Sequence, residues 1–264
     1  MRVLNVVGSL LLGGGIETAL LRILRAAPRD GIEIDFCISG PSAPTLHHEF
    51  EALGCGVWAC RQGRDPFGYM RRFRRALRTR PAYDVVHAHV SNFSGPVLRA
   101  ARQAGVPRRI AQYHNLAVGH ANDWLRRMVE RWLRRMVLRE ATGIAAITQA
   151  GLRHWFPREH EHDPRMSVLR YGIDVAEFAA AAGERDPVRR ELGVPQDAPV
   201  YGHVGRFVWQ KNHATLIEAA ARIAAQEPAA RFLLVGDGAL RGEIEQQAAA
   251  LGLRERVIFT GVRR

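Results

Sequence analysis

Short apolar runs alternate with amphipathic helical stretches along almost the whole chain, and this alternation limits the fold more than any other feature. RVLNVV (2–7), IEIDFCI, GVWAC, YDVVHAH, RRIAQYH and GIAAIT read as buried strands. Between them, IETALLRILRAA (16–27), TLHHEFEALG, FGYMRRFRRALRTR, GPVLRAARQAG and a long segment from about 122 to 140 read as helices. In FGYMRRFRRALRTR, for example, Phe67, Met70, Phe73 and Leu77 form one apolar stripe. Strand-then-helix repeats predict a parallel sheet with helices on both faces, because neighbouring parallel strands need a crossover of helical length.

A looser stretch from YGID at 171 to VPQDAPV carries Pro187, Pro195 and Pro199 and reads as a linker over 173–198. The rhythm then restarts with VYGHVG, HATLIEAAARIAAQ, RFLLVG, ALRGEIEQQAAALG and RVIFTG. The predicted fold is α/β, with two Rossmann-like, doubly wound domains at 1–172 and 199–264. The second is only about half present, since three strands and two helices make half of such a domain. Its last strand is expected at a sheet edge with little to cover it.

The 264 residues are 47% hydrophobic, enough for two cores and too apolar for a disordered chain. Up to Gly172 there are 26 arginines against 14 acids, and from Ile173 onward 11 arginines and one lysine against 12 acids. The whole surplus of +12 therefore lies in the first domain, which suggests a meeting with an anionic surface. Cys37, Cys55 and Cys60 form no paired spacing and read as buried thiols in a reducing compartment. Asn5, Gly8 and Ser9 interrupt the N-terminal apolar run, which argues against a signal peptide. With no run near the roughly 18 residues of a membrane span, a cytoplasmic protein is expected.

Glycine turns at strand ends are where a doubly wound sheet holds its ligands. In GSLLLGGG (8–15), Gly14 and Gly15 stand where a P-loop needs Lys and Ser or Thr, which excludes that ATPase motif. An anion cradle and a tight structural turn both remain open there. GDGALR places Gly236, Asp237 and Gly238 after a strand, but Arg241 replaces the third glycine of a dinucleotide fingerprint. The strand ending at Thr260 offers no acid for a ribose. GHVGRFVWQKN holds Arg206 and Lys211, the only lysine of the chain. A planar guanidinium fork and a mobile ammonium together suit a diphosphate, with a solvated surface pair as the alternative.

GRFVWQKNH, together with GGGIETALLRIL, YDVVHAH, YHN, GID, LLVGDGALRGEIE and VIFTGV, resembles the retaining glycosyltransferases of family 4. These are GT-B enzymes, and the likeness is to exopolysaccharide-biosynthesis members along nearly the whole chain. The resemblance implies an acceptor-side first domain and a second domain that binds a nucleotide-sugar donor. Arg206 and Lys211 would grip the donor diphosphate and stabilise the leaving group, with Gly14 and Gly15 closing over the donor. Gly236, Asp237 and Gly238 would line the nucleotide pocket, and His114 would be the active-site histidine near the transferred sugar. Transfer would retain anomeric configuration to a lipid-linked or glycan acceptor, with no cofactor and no metal. Tyr171 departs from the family's Asn before Gly-Ile-Asp. The likeness stops at Arg264, ahead of the family's two-glutamate donor segment and closing helix, so the expectation is a truncated enzyme.

Other groupings fit less well. His87 and His89 share a strand face without an evident third metal ligand, and His154, His160 and His162 gather with Glu159, Glu161 and Asp163 in a polar loop. On the long helix, Trp124, Leu125, Met128, Val129, Trp132, Leu133 and Met136 fill half of the wheel. Arg126, Arg127, Arg131 and Arg134 fill the other half. This is either a core helix with a solvated cationic face or a helix that docks on anionic lipid at the inner face of a membrane. Charge alone would also permit a nucleic-acid-binding module, but there is no RNP, zinc-finger or helix-turn-helix pattern, so no nucleic-acid partner is expected. A noncatalytic fragment paired with a second chain is a third possibility.

Overall fold

The computed structural model describes the chain except for residues 11–13, 29, 41–45, 64, 117–123 and 264. Part of the first glycine turn, the start of the second helix, the start of the long helix and the last residue therefore lie outside the described residues. The chain divides into two compact units, Met1–Gly172 and Ile173–Arg264.

Unit 1 runs β1 (Arg2–Val7), α1 (Gly15–Ala26), β2 (Glu33–Ile38), α2 (His47–Ala52), β3 (Gly56–Ala59), α3 (Pro66–Arg78) and β4 (Val85–Ala88). It continues with α4 (Ser94–Gln103), β5 (Arg108–Tyr113), α5 (Trp124–Glu140), β6 (Gly143–Ala146), α6 (Gln149–Trp155) and β7 (Met166–Val168). The strands form one parallel sheet in the order β3-β2-β1-β4-β5-β6-β7. Strand alternation explains why both faces are covered. Leu4, Val6 and Cys37 pack into one apolar cluster, whereas their neighbours Val7, Phe36 and Ile38 pack into another. The chain winds outward from β1 to β3 and then returns to β4 beside β1. That reversal opens a crevice at the carboxyl ends of β1 and β4.

In unit 2, α7 (Val175–Ala180) and α8 (Arg185–Glu191) precede β8 (Val200–Val204), α9 (His213–Gln226), β9 (Arg231–Val235), α10 (Arg241–Ala250) and β10 (Val257–Gly261). Its three parallel strands lie in the order β10-β9-β8, so β10 is an edge strand. Phe207, Ile217, Phe232, Leu234 and Ile244 centre its core.

The structure adds to the sequence reading at three points. The stretch read as a linker contains α7 and α8, and Pro187 fits because it falls in the first turn of α8. Neither helix buries a described residue, so no apolar stripe marked them. α6 and the three-residue β7 were also not anticipated. Finally, the apolar half of α5 is not all core. Leu133, Met136 and Val137 are buried, but Trp124, Leu125, Met128, Val129 and Trp132 are exposed.

Candidate functional site

The crevice of unit 1 holds a chain of polar side chains joined end to end. Asn5 is buried mid-strand in β1, and its Oδ1 lies 3.0 Å from His89 Nε2, just past the end of β4. His89 Nδ1 lies 2.9 Å from His114 Nε2, just past the end of β5. His114 Nδ1 in turn meets the hydroxyl of Tyr171. With Asn5 Oδ1 as the acceptor, His89 donates from Nε2 and accepts at Nδ1. His114 must then donate from Nε2, which leaves its Nδ1 to accept from the Tyr171 O–H. Both ring nitrogens of His114 are thereby occupied within unit 1.

The electrostatics keep this chain neutral. Burial pushes the His114 imidazole down to about 4, with His87 adding to the shift. Burial likewise lowers His87 to about 4 and holds His89 well below its usual value. The Tyr171 phenol is pushed up to about 12 by burial and by the charge of Glu17, so it remains a proton donor. Unfolded histidines titrate near 6.5, so between about pH 6.5 and pH 4 the unfolded chain binds protons that the folded chain refuses. Stability is therefore expected to rise with pH through this window and to be lost on acidification. The full shift at His87 and at His114 is on the order of 3 kcal/mol each. Urea unfolding at pH 7.5 and pH 5 checks this, and equal midpoints would contradict the neutral assignment.

Gly14 caps α1 and Gly15 begins it, but the turn already holds an acid. Glu17 folds back so that a Cβ on Gly14 would lie 2.0 Å from Glu17 Oε2, and Ser9 Oγ donates to Glu17 Oε1 at 2.6 Å. A diphosphate at this turn would face that carboxylate. Gly15 has open space around it.

Unit 2 presents the opposite charge. The loop from Gly205 to Asn212 joins β8 to α9, with Arg206 and Lys211 both exposed on it. It interlocks with the turn after β9. Phe207 N donates to Asp237 O at 2.9 Å, Leu240 N donates to Phe207 O at 3.1 Å, and Gly205 N donates to Val235 O at 2.9 Å. Gly236 has φ of 137°, and a Cβ there would lie 2.1 Å from Gly205 O, so the close approach needs glycine. His213 is buried against Phe207 with ring centroids 4.1 Å apart, and His203 packs edge-on to His213. Both imidazoles are lowered, chiefly by burial and further by the charge of Lys211. Asp237 pairs with Arg241, the residue that replaces the third glycine.

Two exposed cations on a loop interlocked with a glycine turn can bind and neutralise an anion, and the neutral relay of unit 1 can orient a hydroxyl group. Sequence reasoning named His114, Arg206 and Lys211 but missed the roles of His89, Glu17, His203 and His213. Of these, His89 was visible as one of the VHAH pair. The structure uses it as a hydrogen-bonded link rather than as a metal ligand. Among the described residues the one cluster able to offer three metal-ligand atoms is His47, His48 and Glu51 on α2. The loop of His154, His160 and His162 does not form such a cluster.

Comparison with known proteins gives the class. Residues 14–172 match the "Glycosyl transferase 4-like domain" family, and residues 184–263 match "Glycosyl transferases group 1". The chain is 30% identical to the EpsF protein of Bacillus subtilis over 262 residues, which is 98% of this chain and 68% of EpsF. It is 27% identical to the UDP-Gal:alpha-D-GlcNAc-diphosphoundecaprenol alpha-1,3-galactosyltransferase of Escherichia coli, over 71% of this chain and 49% of that enzyme. The fold is shared with Anabaena Alr3699/HepE, solved in complex with UDP and glucose. That match has a TM-score of 0.76 at 21% identity and covers all of this chain and 70% of the other. The fold is GT-B and the class of activity is glycosyl transfer. The chain belongs to the family 4 glycosyltransferases. Among its described residues no helix is long and apolar enough to cross a membrane.

Proposed function

We propose that the chain takes part in moving a sugar from a nucleotide-diphosphate donor to a lipid-linked or glycan acceptor in polysaccharide biosynthesis. The observation that carries this reading is that Arg206 and Lys211 are both exposed on the loop leaving the carboxyl end of β8, and that this loop is hydrogen-bonded to the turn of Gly236, Asp237 and Gly238. Breaking the bond from the sugar C1 to the diphosphate oxygen puts negative charge on the leaving group. The acceptor oxygen forms the new bond to C1 and passes its proton to the departing diphosphate oxygen. The guanidinium and ammonium stabilise the departing diphosphate without a metal. We assign Gly14 and Gly15 to a close approach of the backbone toward the donor's sugar, and His114 to orienting that sugar through Tyr171, whose oxygen still accepts a hydrogen bond while its proton is given to His114. Retention is the stereochemical outcome we assign.

UDP is the nucleotide bound to the Anabaena protein, and a diphosphate-lipid acceptor is named for the E. coli enzyme. The test is incubation with UDP-glucose or UDP-galactose and a diphosphate-lipid acceptor, with the product anomer read by NMR. An α-linked product supports the reading, and a β-linked product overturns retention. UDP released in proportion to water consumed, with acceptor unchanged, overturns transfer.

We further assign α5 to an anionic lipid surface. Its exposed Trp124, Leu125 and Met128 alternate with Arg126, Arg127 and Arg131, while Arg134 instead donates to Trp155 O at 3.1 Å. Apolar side chains and arginines on one exposed helix end suit an interfacial helix. Replacing Arg126, Arg127 and Arg131 by alanine is expected to weaken cosedimentation with phosphatidylglycerol vesicles by about 3 kcal/mol, roughly 100-fold. Unchanged cosedimentation would contradict the assignment.

A further inference from the structure

A second cationic site lies in unit 1, along edge strand β3 and α3, and it begins at the carboxyl end of β3. The segment that leaves β3, from Cys60 to Gly63, borders a cavity of about 540 Å³ lined by Trp58, Cys60, Arg61, Gln62, Arg72 and Arg80 among others. Three of these residues are arginines, and none of the described lining residues is an acid.

Two of the guanidinium groups are fixed before any ligand arrives. Arg80 lies over the Trp58 ring at 4.1 Å from its centroid and donates to Ala76 O at 3.1 Å. Trp58 is backed in turn by Phe73, with centroids 5.9 Å apart. Arg72 donates to Arg61 O at 3.2 Å. Burial raises the Cys60 thiol, and the charges of Arg72 and Arg80 oppose that rise, so both cations act on the same floor of the cavity. Asp65 stands near Arg72, but its two oxygens accept from Phe67 N and Gly68 N at the start of α3, each at 2.9 Å. Three cations against one committed carboxylate leave an unneutralised positive field in a concave site.

We infer that this cavity is a binding site for an oxyanion, a carboxylate or a phosphate, carried by the acceptor. A guanidinium fork meets either group through two parallel hydrogen bonds, and prior fixation of Arg72 and Arg80 lowers the entropy lost on binding. β3 and β5 are four strand positions apart in the sheet, roughly 19 Å at about 4.8 Å per step. An extended acceptor can therefore present one end near His114 and anchor a charged group at the arginines. The identity of the ligand as an acceptor rests on the glycosyl-transfer reading, whereas the anion chemistry of the cavity does not.

The test is an NMR titration that follows the Trp58 indole N–H, assigned by its loss in Trp58→Phe. One arm uses inorganic pyrophosphate, for a carrier diphosphate, and the other uses a glucuronate trisaccharide, for an acidic glycan. A saturable shift with either probe is expected, and the stronger one names the source. Arg61→Ala and Arg72→Ala, at exposed positions, are expected to weaken that binding at least tenfold each. Arg80→Lys, which keeps the charge and loses the fork, is expected to fall between them and the native chain. UDP is titrated into the same sample, read at the Gly205 and Gly236 amides. A silent Trp58 with both probes, or arginine variants that titrate like the native chain, overturns the inference. If UDP still binds in that case, the reading of unit 2 stands. If Trp58 responds and UDP binds nowhere, the cavity stands and the reading of unit 2 fails.

Discussion

Replacing Lys211 by alanine is expected to lower kcat/KM for sugar transfer roughly 30- to 1,000-fold, about 2–4 kcal/mol of transition-state stabilisation. The ammonium sits in a short 3-10 turn, Trp209–Lys211, that follows β8 and leads into α9. Its Cδ comes within 3.4 Å of where a Gly205 Cβ would stand, so the stem lies along the backbone of the loop. A charge held there favours the leaving diphosphate more than the intact donor, because negative charge grows as the C1–O bond breaks. The loss should therefore appear mainly in kcat, with little change in KM. Lys211→Arg keeps the charge but replaces a mobile point charge with a rigid fork, so it should restore only part of the rate. A rate within tenfold of native for Lys211→Ala would contradict the role given to this residue.

Gly236→Ala is expected to destabilise unit 2 by roughly 3–5 kcal/mol, combining a left-handed backbone angle with a steric clash. Any Cβ at Gly236 lands on Gly205 O at 2.1 Å, and the backbone there is paired on both sides. Gly236 N donates to Gly261 O at 2.8 Å, and Gly205 N donates to Val235 O at 2.9 Å. Neither loop can retreat without giving up a ladder bond. Hydrogen exchange at the Gly205 and Phe207 amides reads the effect directly, since both bonds cross between the two turns. An unchanged urea midpoint with unchanged protection at those amides would show that the turns tolerate a side chain.

Much of this architecture was legible in the sequence, for a physical reason. Parallel strands buried on both faces are written as short apolar runs, and Val6–Val7 of β1, Phe36–Ile38 of β2 and Val85–Val86 of β4 follow that rule, whereas β5, RRIAQY, is more polar. What could not be read was structure made without a pattern. α7 and α8 bury nothing among their described residues, and β7 is three residues long. The wheel of α5 correctly separated apolar from charged residues, but a wheel cannot say how far along its length a helix is packed. Of its apolar residues only Leu133, Met136 and Val137 are buried, with Leu138 partly buried against the core.

The site divides in the same way. Arg206 and Lys211 are local to one loop, so their grouping was visible from spacing. The relay is not local, since Asn5, His89, His114 and Tyr171 come from four separated positions along the chain. Tyr171 stood out only as a departure from the family's Asn. Its hydroxyl bonds His114, a pairing that spacing along the chain cannot suggest. The Gly14–Gly15 turn holds a feature that spacing does not show. A glycine turn before a helix suggests an anion cradle, and the structure adds the Glu17 carboxylate, folded back against Gly14.

The measurement that bears most directly on the central claim is a calorimetric titration of UDP into the native chain and into a variant with Arg206→Ala and Lys211→Ala. Saturable binding to the native chain is expected, with at least tenfold weaker binding to a variant that keeps the same circular dichroism spectrum. Equal affinity for both, or no binding to the native chain, would contradict the assignment of the diphosphate to this loop.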